Sequence, residues 1–214
     1  MTKPYIYSIQ VGKPKTYETP KRKWTSGISK KPVSGPVYLG KTNLAGDGQG
    51  DMKNHGGPDK AVLAYGIAHY PRWQEELEGL DLRRGGFGEN FTIHGQTEVD
   101  VCIGDILQIG EAVLQVAQTR MPCWKLDALW NYEGLSTQVK ETGRSGWYLR
   151  VLEEGFVEEK QEIALLERTY DNWTIAKVNT ILHDKQTPKE IVKELMACPP
   201  LAVSLRNILA KRVG

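Results

Sequence analysis

Up to about residue 170 the apolar positions come in short β-branched and aromatic runs, separated by polar turns rich in glycine and proline. Runs of that kind read as strands. They include Tyr5–Ile9, Pro36–Leu39, Ala61–Tyr65, Ile106–Ile109, Ala112–Ala117, Trp147–Leu152 and Phe156–Val157. Gly110-Glu111 between two of these runs predicts a two-residue type II′ hairpin turn. Glu153-Glu154-Gly155 predicts a second hairpin, between Trp147–Leu152 and Phe156–Val157. One helix is expected from Pro71, with Trp73, Leu77 and Leu80 at helical spacing, and another over 135–142, ending at Gly143.

From residue 171 the period changes to that of helices. Ile175, Val178, Ile181 and Leu182 share one face, and Ile191, Val192, Leu195 and Met196 share a second. Leu201, Leu205, Ile208 and Leu209 form a third. Thr187-Pro188-Lys189-Glu190 has the pattern of a capping box ahead of the second helix. The chain therefore divides into a mainly β domain over 1–170 and a small three-helix domain over 171–214. Three short helices bury little by themselves, so they are expected to pack on one another or on the strands.

Composition narrows this picture. The apolar stretch Ala61–Ala68 is too short to cross a bilayer, and no signal peptide is read at the start, so no membrane partner and a cytoplasmic location are expected. Three widely spaced cysteines without a CxxC pair speak against a disulfide framework and a structural zinc site. Residues 1–41 carry nine Lys/Arg against one acid, Glu18, while the whole chain has a net charge of only +2. The bland reading of this basic segment, around Lys13, Lys15, Lys21, Arg22 and Lys23, is a solvated loop; the alternative is an anion-binding surface. Residues 172–214 hold seven Lys/Arg against three acids, but these lie opposite the apolar stripes, so nucleic acid is not the expected partner.

Three segments carry candidate chemistry. Arg120-Met121-Pro122-Cys123-Trp124-Lys125 follows a strand and is turned by proline, which projects side chains from a sheet end. Cys123 there is a soft thiolate ligand with cationic neighbours, although an isolated cysteine is more often a small buried hydrophobe. Gly46–Lys60 is a long polar turn that displays His55, Lys60 and several acids among glycines, suited either to an anion or to plain solvent exposure. One histidine without a second ligand does not make a zinc site. Gly85-Gly86-Phe87-Gly88-Glu89-Asn90 lacks the spacing of a dinucleotide loop. His69, His94 and His183 read as structural.

Taken in order, Gly46-Asp47-Gly48-Gln49-Gly50-Asp51, His55-Gly56-Gly57-Pro58-Asp59-Lys60, Phe87-Gly88-Glu89-Asn90-Phe91 and Arg120-Met121-Pro122-Cys123-Trp124-Lys125 resemble the MOSC family. Ser26-Gly27-Ile28-Ser29-Lys30, Gly143–Trp147 and the helical C-terminus narrow this to its YiiM-like branch, associated with resistance to 6-N-hydroxylaminopurine. The resemblance implies a closed β barrel and a molybdenum cofactor, one pyranopterin whose dithiolene supplies two sulfurs to the metal. Pyridoxal phosphate is not implied. Cys123 falls on the family's metal-binding cysteine. Thr119, Arg120, His55, Lys60, Glu89 and Asn90 fall on motif positions lining the same pocket, and Lys30 falls on a lysine suited to the pterin phosphate. The implied reaction is reduction of small N-hydroxylated compounds, with Cys123, Arg120 and His55 as the catalytic set. Arg120 or a protonated His55 is the expected cation at the departing oxygen. With no flavin, haem or iron–sulfur motif, electrons are expected from an external donor, a flavodoxin-like protein or a flavin reductase. The rival reading is a non-catalytic module that carries or senses the cofactor or bound sulfur. A homodimer is compatible with either.

Overall fold

Alternating apolar side chains build the sheet at the centre of the computed structural model, which describes residues 3–19 and 22–214. The strands are β1 (Tyr5–Val11), β2 (Lys15–Thr19), β3 (Arg22–Ser26), β4 (Lys31–Val33), β5 (Val37–Leu39), β6 (Val62–Gly66), β7 (Phe91–His94), β8 (Ile106–Ile109), β9 (Ala112–Thr119), β10 (Trp147–Glu153), β11 (Gly155–Val157) and β12 (Ile163–Glu167). Eight of them form one sheet in the order β12-β8-β9-β10-β6-β7-β1-β4. Its neighbours are antiparallel except β6 and β7.

The expected closed barrel is corrected to a sheet that does not close as a continuous ladder. β12 approaches β1 only through an isolated bridge between Tyr5 and Glu162. Backbone bonds from Ile6 N to Gln161 O (3.0 Å), Lys160 N to Ile6 O (2.7 Å) and Ile163 N to Pro4 O (2.8 Å) stitch this seam. The ladder stops there because the later part of β1, Ile9–Val11, is taken by β4 instead.

Gly110 adopts φ 56° between β8 and β9, with Ile109 opposite Ala112, as a two-residue hairpin turn requires. The expected β10–β11 hairpin does not form. β11 pairs with β5, across Phe156 and Tyr38, and β10 lies between β9 and β6. The basic segment is an ordered hairpin, β2 with β3, rather than a loop; Pro20 and Lys21 lie outside the described residues.

Seven α-helical segments are described: α1 (Met52–His55), α2 (His69–Glu76), α3 (Trp124–Trp130), α4 (Leu135–Thr142), α5 (Ile175–His183), α6 (Lys189–Met196) and α7 (Val203–Val213). α4 ends at Gly143 in the left-handed region (φ 71°), as its sequence predicts. α2 begins two residues before Pro71 and ends before Leu77. The Thr187 capping box does not form: α6 starts after Pro188, and the Thr187 hydroxyl donates to Asp184 Oδ2. None of the helices among the described residues is long and apolar enough to cross a membrane.

The last three helices share one core with the sheet. Ile175, Val178, Leu205 and Leu209 are fully buried in the same cluster as Ile103, Leu114 and Val116. Each such side chain contributes about 1.5–3 kcal/mol, which holds helices too short to persist alone. A second cluster, built on Tyr65, Trp73, Phe87, Leu126 and Val139, backs the loops around Cys123.

Candidate functional site

β9 runs to Thr119, and Arg120-Met121-Pro122 lead the chain off the sheet end to Cys123. This residue is extended (φ −133°, ψ 163°) and immediately precedes α3. Pro122 disfavours helix at Met121 before it, which keeps the chain extended as it leaves the sheet, and α3 starts after the extended Cys123. Cys123 is half-buried and lines a cavity of about 650 Å³, measured out to its open mouth. The long loop before β6 supplies the facing wall. Gly50 of that loop lies so near the end of β3 that a Cβ there would stand 2.8 Å from the Thr25 carbonyl, so glycine is required for the approach.

α1 presents His55 to the thiol, with Cys123 Sγ 3.6 Å from His55 Nε2. The other ring nitrogen, Nδ1, is 3.3 Å from Asp51 Oδ2 one helical turn earlier. An ionised carboxylate only accepts, so Nδ1 carries the proton and Nε2 turns its lone pair toward sulfur. Burial, and then the charge of Lys125, hold His55 below the ordinary histidine range. That lowering favours the neutral ring in the free pocket. Lys125 is buried, with Nζ 3.9 Å from Asp51 Oδ2.

Arg120 is only 5% exposed and lines the cavity. Its Nη2 donates to the Phe87 carbonyl at 3.0 Å, and Nη1 has no hydrogen-bond partner among the described residues. A buried guanidinium with an unmatched donor is costly unless an anion completes it. Lys60 lines the same cavity, and burial lowers its pKa.

Lys30 also lines the cavity, with Nζ 2.5 Å from Asp47 Oδ1. Desolvation lowers its pKa, opposed by Asp47. Asp47 also accepts from Gly12 N (2.8 Å) and from Asn90 Nδ2 (2.8 Å). Asn90 Oδ1 in turn accepts from Leu63 N at 3.1 Å. Lys30, Asp47 and Asn90 thus knot three loops to β6 beneath the pocket.

Two residues placed in the pocket by motif do not face it. Glu89 is fully buried and accepts from Gly85 N (2.7 Å), Phe87 N (3.1 Å), Thr92 Oγ1 (3.2 Å) and the Tyr70 hydroxyl. It fixes the turn whose Phe87 carbonyl receives Arg120. Thr119, 2% exposed, donates through Oγ1 to Asn179 Oδ1 on α5. Asn179 Nδ2 donates onward to Ser145 Oγ (3.0 Å) and Gly143 O (3.1 Å). Thr119 therefore couples the C-terminal helices to the strand end that carries Arg120.

Tyr148 lines the cavity although no motif marked it. The signal was the alternation of β10, where Trp147 and Leu149 are fully buried and Tyr148 points the other way. Burial raises its phenol pKa, opposed by the charge of Arg120, so the hydroxyl keeps its proton. Asp51 had a signal too: its i, i+4 spacing to His55.

The donor set fits a metal that brings most of its own ligands. One soft thiol faces the cavity, and no cluster of three His, Cys, Asp or Glu side chains able to cage a metal exists among the described residues. Arg120, Lys60 and Lys125 line the same cavity, and their charge suits an anionic organic group.

Comparison with known proteins agrees with this geometry. A family model described as the MOSC domain matches residues 51–164, and one described as a YiiM-like 3-alpha helix domain matches 173–213. The chain is 39% identical over 207 residues to the uncharacterized protein YflK of Bacillus subtilis, covering 97% of this chain and 93% of that protein. It is 34% identical over 178 residues to a protein of Gibberella moniliformis named Reductase, covering 82% of this chain but 32% of that protein. The crystal structure of YiiM from Geobacillus stearothermophilus superposes with a TM-score of 0.83 at 37% identity, over 99% of this chain and all (100%) of that one.

Proposed function

The chain belongs to the MOSC domain family, and we propose that it is a molybdenum-cofactor-dependent reductase of N-hydroxylated compounds, working in the Cys123 pocket. The observation that carries this reading is that a soft thiol, Cys123, and a buried arginine, Arg120, line one cavity together with Lys60 and Lys125. The fungal relative named Reductase points the same way.

When bound, the molybdenum cofactor supplies two-electron oxygen-atom transfer. Cys123 Sγ is the residue that holds the metal. His55 Nε2 faces the sulfur and takes the thiol proton as the ligand forms, while Asp51 fixes the ring through Nδ1. Lys60 and Lys125 meet the anionic part of the cofactor. Lys30, held by Asp47, fixes the loop at the pocket wall. Arg120 is placed to stabilise negative charge on the departing oxygen, and Tyr148 offers a phenolic proton on the same side. Overall the hydroxylamine takes up two electrons and two protons: the N–O bond breaks, and amine and water leave.

The test is molybdenum and pterin content of wild type and Cys123→Ala, purified from a host that makes the cofactor, followed by 6-N-hydroxylaminopurine reduction with dithionite. Near-stoichiometric molybdenum in wild type, lost in the variant, with turnover only in wild type, is the expected result. Loading without turnover makes the protein a carrier, and no loading in either sinks the cofactor reading.

A further inference from the structure

We propose that Glu98, which lies outside the Cys123 pocket, is a positioning residue for Arg120; this rests on the reductase reading. Glu98 sits in the turn between β7 and β8, is 4% exposed and does not line the cavity. Its Oε1 accepts from Gly146 N at 2.7 Å, and the Gly146 carbonyl accepts from Arg120 N at 3.1 Å. A single residue therefore separates the carboxylate from the backbone of the pocket arginine. Gly146 has no room to absorb a shift. It sits at φ 78°, packed so closely that a Cβ would stand 2.4 Å from the Ala64 carbonyl. The next residue, Trp147, is already paired with Thr119 on β9 and with Ala64 on β6. The Gly146–Arg120 bond is thus the last rung before the chain leaves the sheet for Cys123.

Glu98 is itself held from two further sides. Its Oε2 lies 2.6 Å from His69 Nε2 at the start of α2, so the carboxylate accepts an N–H on each oxygen. The Glu98 carbonyl accepts from Ala176 N at 2.8 Å, in the first turn of α5. One buried residue therefore joins α2, α5 and the strand end. Removing its side chain leaves the Gly146 N–H buried without its acceptor, which favours a turn or shift of that peptide. Arg120 reaches both the Phe87 carbonyl and the cavity from this strand end. A displacement of about 1 Å, caused by a change far from the chemistry, can cost about 100-fold in rate.

The experiment compares wild type with Glu98→Ala, Glu98→Asp and Glu98→Gln, alone and combined with Arg120→Met, in dithionite-driven reduction of 6-N-hydroxylaminopurine. Turnover is expressed per bound molybdenum, which removes losses of folding or loading. Glu98→Ala should lower kcat at least roughly tenfold with KM nearly unchanged. That loss should not multiply with the loss in Arg120→Met, because both lesions act on one group. Glu98→Gln should recover most of the rate, since its amide oxygen still accepts from Gly146 N while its NH2 turns to His69. Exchange of the Arg120 amide proton, followed by NMR, should be at least roughly tenfold faster in Glu98→Ala and near wild type in Glu98→Gln. Should Glu98→Ala fail to fold, Glu98→Asp carries the same comparisons: its shorter carboxylate cannot span His69 and Gly146, while its carbonyl still serves Ala176. Turnover per molybdenum equal to wild type, a loss that multiplies with that of Arg120→Met, no rescue by glutamine, or an unaltered Arg120 amide would overturn the proposal. Absent turnover in wild type would instead overturn the reductase reading, and the exchange comparison would still decide whether Glu98 holds Arg120.

Discussion

Cys123 Sγ and His55 Nε2 stand 3.6 Å apart although 68 residues separate them in sequence. The thiol is set at the end of β9 and the imidazole on a single helical turn, so neither side chain depends on the other's segment for its backbone. Their meeting is governed by Asp51, which shares its carboxylate between the His55 ring and the more distant Lys125 ammonium.

Asp51→Asn should weaken that orientation. Partners of this kind usually cost roughly 10–100-fold in metal affinity or activity when removed. Molybdenum content per protein, read by mass spectrometry after dialysis, should fall accordingly. The melting temperature should stay near wild type, because the Asp51 side chain is partly exposed (29%).

Arg120→Met removes the buried cation. Turnover should fall by about 10²–10³, the usual cost of one preorganised donor at a developing oxyanion, with molybdenum content retained. Loss of molybdenum along with activity would move Arg120 from the reacting oxygen to the cofactor. Arg120→Lys should rescue poorly, because an ammonium lacks the planar, multi-donor guanidinium whose Nη2 bonds Phe87 O.

Glu89→Gln tests the corrected role of that residue. An amide turned toward the Gly85 and Phe87 N–H groups replaces an acceptor with a donor on one side, at about 1–3 kcal/mol. Urea unfolding should show that loss. Molybdenum bound per folded molecule should hardly change, whereas a pocket ligand would lose it.

His183, at the end of α5, gives a pH dependence. Burial, then Lys140 and Arg212, lower its pKa below the usual 6.5. The unfolded chain therefore binds the proton more readily, and this histidine costs stability as pH falls through 6.5 toward the lower folded value. Above that window it has no effect. Melting temperatures at about pH 7.5 and about pH 5.5 should differ less in His183→Gln than in wild type; an equal difference would assign the acid sensitivity elsewhere.

Much of this site was legible because it is local and polar. His55, Lys60, Arg120 and Cys123 sit in turns where glycine and proline announce that side chains leave the sheet. Motif position does not say which way a side chain turns, and there the reading failed. The Glu89 oxygens close on their own turn, and the Thr119 hydroxyl reaches a helix sixty residues later. Tyr148 was missed because a tyrosine in a strand carries no signal beyond its parity. The basic hairpin was read as a loop because its strands are exposed and charged, and the Tyr17–Trp24–Trp124 stack that orders them is a tertiary contact. Sheet closure was expected from family likeness, but it depends on which partner β1 accepts along each part of its length.

The bonds from Asn179 to Thr119 and Ser145 have a consequence for inheritance. The strand end bearing Arg120 is finished by a side chain from the C-terminal helices, so those helices are not freely exchangeable cargo. A recombination that swapped them for another bundle would leave two buried hydroxyls beneath the pocket without their amide. Descent should therefore keep the two segments together as a matched pair, and a chimera joining strands and helices from distant relatives should need repair at these three positions before it loads a cofactor.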